Sequence, residues 1–175
     1  MALITAPQPT IPDFEHEYHT VIVDTFDQPS SQYSNGINAL LPTPLENVIQ
    51  VELLAARFKG IGASTELIHV SIDELKNTFF QRAKKDLDVS GHNSINGSFG
   101  SIVTAGNTTL TFKNEYPISQ QYLTPIRKLD RLNVKLYKQD AVDILATAQV
   151  FLVFNFVCKK KNLMWSFQGV TCIQF

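Results

Sequence analysis

The most regular feature of the sequence is an alternation of apolar and polar residues with a period of two. The segment 67–73, Leu-Ile-His-Val-Ser-Ile-Asp, places three β-branched residues on one side and His, Ser and Asp on the other. The segments 49–56, 109–113 and 132–137 alternate in the same way. Successive side chains of a β-strand point to opposite faces, so this pattern is typical of half-buried antiparallel strands.

Four more segments predict strands, at 19–26, 98–105, 149–158 and 164–174, which gives about eight strands in all. Turn-forming residues separate many of these segments. These signals are Ser34-Asn35-Gly36, Gly60-Ile61-Gly62, Asn96-Gly97, Gly106-Asn107 and Tyr116-Pro117. The pattern therefore indicates a protein built mainly from short strands joined by turns.

Helical signals are scarce. The best is the segment 73–86, which begins with acidic and ends with basic residues, as the helix dipole favours, and Asp73 is expected to cap it or to lie in its first turn. A further turn of helix is possible at 139–147. Without an alternation of strands and helices, we predict an all-β fold: an antiparallel two-sheet sandwich, most economically a single jelly roll of about eight strands with a short helical insert. An immunoglobulin-like strand order remains open.

The chain has 175 residues, which fits a single domain. Residues 1–18 contain three prolines and few alternating positions, so we expect an extended N-terminal arm, followed by one jelly-roll domain over 19–175. The segment 1–19 has no basic stretch followed by an apolar run, and no stretch is long enough to span a membrane. We therefore expect a soluble, unexported protein.

The net charge of −1 gives no general attraction to nucleic acid, so we expect no direct nucleic-acid partner. Cys158 and Cys172 are too few for a disulfide framework and lack the spacing of a zinc site. Two free, buried thiols in a reducing compartment fit best.

The residues that could act in catalysis do not have the spacing of a catalytic or metal-binding motif in the sequence. His92 and Ser94 lie close together but lack a third orienting group. The segment 60–65 resembles a phosphate loop without its lysine, and His16 and His19 have poor spacing for a shared metal. His69 is expected to be a surface or interface side chain. We predict no enzyme activity, no catalytic residue, no cofactor and no metal.

The segment 149–158 is apolar on both faces except at Asn155, although a sandwich strand needs only one apolar face. Either an insert or helix of the same chain covers the second face, or another protein chain does. The C-terminal segment is also rich in aromatic residues. The candidate subunit-contact residues are therefore Phe151, Val153, Val157, Trp165, Phe167 and Phe175.

Four motifs occur in a fixed order over about residues 44–138. They are Pro44-Leu45-Glu46-Asn47-Val48-Ile49-Gln50-Val51-Glu52-Leu53-Leu54-Ala55-Ala56, Leu67-Ile68-His69-Val70-Ser71-Ile72-Asp73-Glu74-Leu75, Tyr116-Pro117 and Leu129-Asp130-Arg131-Leu132-Asn133-Val134-Lys135-Leu136-Tyr137. In sequence and in order this set resembles the small jelly-roll capsid proteins, penton or minor, of large icosahedral double-stranded DNA viruses. Two differences exist: Gln139-Asp140 replaces an Asp-Gly turn, and 76–97 resembles an insert.

The resemblance implies a structural component of a viral capsid, either the pentameric vertex protein or a minor capsid protein. Its expected partners are the major capsid protein, other capsid proteins and copies of itself, with a pentamer as the assembly expected at a vertex. The expected location is the virion, after assembly in the host cytoplasm. The alternatives are a carbohydrate- or peptide-binding β-sandwich, for which Tyr33, Tyr116 and Tyr122 are candidate binding aromatics, and a cupin-like metalloenzyme.

Overall fold

A computed structural model describes residues 15–26, 36–61, 64–76, 97–104, 109–139 and 149–160. Within these residues the chain forms six strands and one short turn of 3-10 helix. The strands are β1 (His16–Asp24), β2 (Ile37–Lys59), β3 (Leu67–Ile72), β4 (Gly100–Val103), β5 (Thr109–Lys138) and β6 (Gln149–Lys159), and the 3-10 turn is Asp73–Leu75.

The six strands form one antiparallel sheet in the order β1-β6-β2-β5-β3-β4. The two longest strands, β2 and β5, pair with each other along most of their length. β6 lies beside β2 from Val48 to Lys59, whereas β3 lies beside β5 from Val134 to Lys138. The sheet thus has a first half, containing β1, β6, β2 from Val48 and β5 up to Gln121, and a second half containing the remainder.

Interruptions in the pairing of β2 with β5 separate and bend these halves. The register shifts where residues 41–44 of β2 lie opposite one residue of β5, Asp130. It shifts again where 114–117 and 122–125 of β5 each lie opposite one residue of β2, Leu54 and Ile49 respectively. Each of these three segments ends in proline, at Pro44, Pro117 and Pro125. Proline lacks the N–H that a ladder position needs, so these residues fit positions where the strands separate.

The sheet curls until the second half lies over the inner face of the first. Phe99, just before β4, packs edge to face on Phe154 of β6, with ring centroids 5.9 Å apart. The Gln120 side-chain amide of β5 donates a 2.9 Å hydrogen bond to the Phe99 carbonyl oxygen. The enclosed space is filled by one continuous core drawn from all six strands. Burial of this apolar surface is the main source of the fold's stability.

The 3-10 turn is held against β5 by a polar cluster. The Asp73 carboxylate lies 2.9 Å from the Lys135 ammonium and accepts a hydrogen bond from the Asn133 side-chain amide. The Glu74 carboxylate accepts the backbone N–H of Asn133 at 2.8 Å. The hydrogen bond to Asp73 raises the pKa of Lys135. Asp73 therefore fixes the turn through its contacts with β5.

The predicted helix over 73–86 does not begin as expected. The 3-10 turn ends at Leu75, and Lys76 has an extended backbone. Asp73 lies in the first turn, which is one of the two positions predicted for it. No side chain caps that turn. The Asp73 and Glu74 carboxylates instead bind residues of β5, and these tertiary contacts outweigh the helical preference of the local sequence. Residues 77–96, most of the predicted helix, and the stretch 140–147 lie outside the described residues.

The all-β class and the antiparallel pairing are confirmed, whereas two separate stacked sheets are not, because hydrogen bonding is continuous through one curled sheet. The strands predicted at 109–113 and 132–137 are the two ends of β5. The turn predicted at Tyr116-Pro117 is one of the register shifts within that strand. β1 begins at His16, inside the predicted arm, and the strand predicted at 164–174 lies outside the described residues.

The close contact between β4 and β5 at Gly100 generates a prediction. A Cβ atom at this position would collide with the Ile118 side chain in the core. Gly100→Ala should lower the free energy of unfolding by about 1–3 kcal/mol, measured by urea denaturation. The same substitution in an Ile118→Ala background should cost less, and Val103→Ala, which alters an exposed residue of the same strand, serves as control. Equal costs in both backgrounds would contradict the proposed collision.

Candidate interaction surface

The outer face of the first half-sheet, opposite the core, carries a second apolar cluster. Leu54, Ala55 and Val153 are buried there, and Phe151 packs against them. Irregularities in β2 create this cluster. Between Val48 and Gln50, and again between Leu53 and Ala55, β2 has an extra residue relative to β6. Each such bulge changes which residues face inward, and the second places the adjacent Leu54 and Ala55 outside the core.

The candidate contact residues on β6 all lie on this outer face. Phe151 is half-buried, whereas Val153 and Val157 are already buried within the single chain, with Val153 7% exposed. Trp165, Phe167 and Phe175 lie outside the described residues. The structure therefore brings three of the six predicted residues onto one face.

β1 adds apolar residues that the sequence analysis missed. Ile22 pairs with Val153 and is 57% exposed, and Tyr18 pairs with Val157 and is also exposed. The alternation of Tyr18, Thr20 and Ile22 with Val21 and Val23 is visible in the sequence. Assigning residues up to 18 to an arm concealed the beginning of this strand. Ile22 extends the apolar cluster to the sheet's edge.

A cavity of about 290 Å³ opens at one end of this face. Its lining is mostly apolar and, among the described residues, includes Asp24, Phe26, Ala55, Ala56, Arg57, Thr111, Phe112 and Phe151. The Arg57 guanidinium lies over the Phe26 ring, 5.5 Å from its centroid. An apolar cavity bordered by one acidic and one basic group can accept an apolar side chain and discriminate charges around it.

Thr25 fixes the edge of this cavity by joining β1 to β6. Its backbone N–H donates to the Val150 carbonyl oxygen at 2.8 Å, and its hydroxyl accepts the Val150 N–H at 2.8 Å. The hydroxyl also donates to the same carbonyl at 3.2 Å. Thr25 is buried, so these bonds hold the ends of both strands where water cannot replace them.

A second cavity, of about 460 Å³, lies at the opposite end of the first half-sheet. It is more polar, and its lining residues are Glu17, His19, Thr43, Pro44, Leu45, Glu46, Asn47, Cys158 and Lys159. Asn47 has a positive φ of 53°, a conformation that asparagine tolerates better than most residues. The His19 ring lies 3.5 Å from the Glu17 carboxylate. Charged groups of both signs therefore surround this cavity.

Cys158 is a buried free cysteine, which agrees with the expected small hydrophobic role. Burial, together with the nearby Glu17 carboxylate, raises the pKa of its thiol to about 11. The thiol is therefore protonated at neutral pH and weakly nucleophilic. Cys172 lies outside the described residues.

His69 is buried, not a surface side chain. Its Nδ1 lies 2.7 Å from the Ser101 hydroxyl on the neighbouring strand. Tyr122, a candidate binding aromatic, packs against the core and donates its hydroxyl to the Leu75 carbonyl oxygen, and burial raises its pKa. Tyr33 and the side chain of Tyr116 lie outside the described residues.

In the described parts of the chain, no three His, Cys, Asp or Glu residues are grouped so that they could hold a metal ion. No helix in those parts is long and apolar enough to cross a membrane. His92 and Ser94 lie outside them.

The register shifts also expose two leucines. Leu123, in the interrupted segment 122–125 of β5, is 98% exposed, and Leu40, beside the interrupted segment of β2, is 76% exposed. The preceding residue, Tyr122, packs against the core, so Leu123 points to the outside of the sheet. Leu123 therefore forms an isolated apolar projection.

The hydrogen bonds of Thr25 predict a specific loss of stability. Thr25→Val keeps the side-chain volume but leaves the buried Val150 N–H without its hydroxyl acceptor. The free energy of unfolding should fall by about 1–3 kcal/mol in urea denaturation. Thr20→Val, on the exposed face of the same strand, should change it by no more than about 0.5 kcal/mol. Similar values for the two variants would show that the hydroxyl contributes little.

The raised pKa of Cys158 predicts a pH dependence. Between about pH 9 and 11 the thiol ionises in the unfolded chain but keeps its proton in the folded one. Stability should therefore be unaffected by this group below pH 9 and should decline by about 1–3 kcal/mol over that interval. Urea denaturation of the wild type and of Cys158→Ala measures the difference. Cys158→Ala should show a shallower decline, and parallel curves would contradict the prediction.

Comparisons with known proteins add no assignment to these observations. No model of a known protein family matches the chain, and no curated protein matches its sequence. The features that bear on function are therefore the outer face, the two cavities and the motifs in the sequence.

Proposed function

We propose that this chain is a noncatalytic structural component of an icosahedral viral capsid, either a pentameric vertex protein or a minor capsid protein. It acts by contacts with copies of itself, with the major capsid protein and with other capsid proteins, and its location is the virion after assembly in the host cytoplasm. The observation that carries the proposal is the apolar cluster on the outer face of the first half-sheet.

This outer face supports a contact role because it continues from buried to exposed apolar residues. Phe151, which is half-buried, packs against the cluster that contains Val153 and Ala55, and Ile22 extends the surface to exposed positions. Burial of such surface contributes about 25 cal/mol per Å², and an interface in a closed ring is repeated in every subunit. Several modest contacts can thus produce a stable assembly.

The fold is compatible with a single jelly roll. The long strands β2 and β5 each pass from one half of the curled sheet to the other, as strands do at the corners of folded β-sheets. The segments that resemble the capsid family lie on β2, on β5 and in β3 with its 3-10 turn, and these strands are neighbours in the sheet. The resemblance therefore concerns a contiguous part of the structure.

The polar cavity of about 460 Å³ favours one second candidate, a ligand-binding β-sandwich module. Glu17, His19 and Lys159 could pair with the polar groups of a saccharide or peptide. The described part of its lining contains no Phe, Tyr or Trp ring for stacking on a sugar, so a peptide is the better match. Binding of a peptide with no self-association or capsid contact would favour this candidate.

The proposal is tested with the purified full-length chain. Native mass spectrometry should show either a pentamer, which assigns the vertex position, or a monomer, which assigns the minor capsid position. Metal analysis of the same sample should find no stoichiometric metal. Stoichiometric zinc, iron or manganese would contradict the proposal and favour a cupin-like metalloenzyme.

Ile22 provides a more local test. Ile22→Glu places a charge on the outer face of the first half-sheet and should weaken association at least about tenfold, measured by analytical ultracentrifugation or by binding to the major capsid protein. Its free energy of unfolding should stay within about 0.5 kcal/mol of wild type because the side chain is exposed. Val103→Glu, an equally exposed substitution in the second half-sheet, is the matched control, and an equal effect of both variants would contradict the assigned face.

A further inference from the structure

We propose that two copies of this chain pair edge to edge through residues 20–24 of β1, the edge segment, in antiparallel orientation about a two-fold axis at Ile22. The partner at this edge is thus a second copy of the chain. The inference goes beyond the proposed capsid role and does not rest on it, because it concerns the backbone edge of the sheet and not its outer face.

The first argument is that backbone groups of the edge segment point away from the sheet. At one end of the ladder with β6, Thr25 donates its N–H to β6, and at the other Glu15 accepts an N–H, both at 2.8 Å. In an antiparallel ladder, every second residue turns its N–H and C=O toward the same neighbour. Odd-numbered residues of β1 therefore bind β6. Thr20, Ile22 and Asp24 turn these groups toward the side where the described sheet has no further strand.

The second argument is that the edge segment lacks most of the features that prevent sheet edges from pairing. Natural edges are protected by prolines, bulges, charged side chains or short length. β1 pairs with β6 over nine residues without a register shift, and it contains no proline or lysine. Its ionisable residues His16, Glu17 and His19 precede the edge segment, which carries one charge at its last residue, Asp24. β4, the other edge strand of the described sheet, has only four residues.

The third argument is that the edge segment is complementary to itself, which identifies a second copy as the partner. When two copies run antiparallel with Ile22 opposite Ile22, Thr20 of each lies opposite Asp24 of the other. The Thr20 hydroxyl can then donate to the Asp24 carboxylate. On the inner face Val21 lies opposite Val23, and both residues pack with the core of their own copy. Like side chains therefore meet on each face.

Other alignments of the two segments fit less well. A slide of one residue sets groups that point outward against groups that already bind β6. A slide of two residues places the Asp24 carboxylate opposite Tyr18 or opposite Ile22, depending on its direction. A slide of four residues can place the Glu17 carboxylate opposite Val23, which is buried. Only the alignment centred on Ile22 avoids a charge against an apolar side chain.

Pairing at this edge would also join the outer faces of the two copies. Ile22 is 57% exposed and extends the apolar cluster of its own copy to the edge. With two Ile22 side chains next to each other at the axis, the clusters become continuous across the pair. The contact is short, so we expect a dissociation constant of roughly 10–100 μM. More dilute samples, as used for native mass spectrometry, then contain copies that are not paired at this edge.

The first test measures amide hydrogen exchange of the full-length chain by NMR at two concentrations. At about 20 μM, the amides of Val21 and Val23 should exchange slowly because they bind β6, and those of Thr20, Ile22 and Asp24 should exchange faster. At about 1 mM, the amides of Thr20, Ile22 and Asp24 should slow by about threefold or more, as mass action predicts for such a dissociation constant. Exchange of these three amides that does not depend on concentration would overturn the inference, even if the copies associate by another surface.

The second test exchanges charges at the axis. Ile22→Lys and Ile22→Glu each place like charges opposite one another and should raise the dissociation constant between copies by about tenfold or more in analytical ultracentrifugation. An equimolar mixture of the two variants places opposite charges there and should restore pairing to within about threefold of wild type. A mixture that pairs no better than the separate variants would overturn the two-fold axis at Ile22.

Matched controls come from the other edge strand. Val103→Lys and Val103→Glu alter a similarly exposed residue of β4 and should each change the dissociation constant by less than about twofold. Circular dichroism and thermal unfolding of all four variants should match wild type, since both positions are exposed. Equal weakening by the Ile22 and Val103 variants would contradict the assigned edge.

These outcomes separate the inference from the capsid role. A pentamer, or a monomer that binds the major capsid protein, with unchanged exchange at Thr20, Ile22 and Asp24 contradicts only the edge pairing. Stoichiometric metal contradicts the capsid role and leaves the edge pairing supported if the three amides slow with concentration.

Discussion

The pairing of β2 with β5 is the constraint on which the rest of the structure depends. This ladder is the only part of the described sheet that runs through both halves, and every other strand attaches to it directly or through one neighbour. Its interruptions bend the sheet, and the bend brings Phe99 onto Phe154 to close the core. The same interruptions expose Leu123 and Leu40. The interruptions in this ladder therefore both close the core and expose the two leucines.

β6 shows how one strand can serve both the core and the surface. Phe154 and Phe156 face inward and fill the core, whereas Phe151 and Val153 face outward and join the second apolar cluster. A strand that is apolar on both faces needs cover on both. The chain supplies this cover on the inner face by curling. On the outer face part of the apolar surface remains accessible, which is the physical basis of the proposed assembly.

Sequence periodicity predicts where the strands lie better than it predicts which of their residues face the core. The alternation in 67–73 corresponds closely to β3, and the apolar run 149–158 corresponds closely to β6. Both strands pair with β5 or β1 without a register shift. In β2 the expected grouping of Ile49, Val51, Leu53 and Ala55 on one face holds only for Val51 and Leu53. The first bulge places Val48 instead of Ile49 in the core, and the second places Ala55 outside it. A bulge depends on the partner strand, so one segment's own pattern does not reveal it.

The candidate interaction surface was predictable only in part, again because part of it depends on how the strands pair. The two-faced character of β6 is a local property, and it led to Phe151, Val153 and Val157 on the outer face. The cavity, by contrast, is formed by residues from β1, β2, β5 and β6, whose proximity follows from strand order. Leu123 could not be identified from the sequence because an apolar residue next to Tyr122 in a strand gives no sign that it projects from the sheet.

The prolines at the ends of the three interrupted segments also restrict how the chain can misfold. A β-ladder can slide by two residues while keeping its apolar face inward, and long strands such as β2 and β5 offer many such alternatives. Sliding would move Pro44, Pro117 or Pro125 to positions where a partner carbonyl requires an N–H that proline does not have. The three prolines therefore disfavour shifted alignments of the two strands, because each shift would leave a ladder carbonyl without its N–H donor.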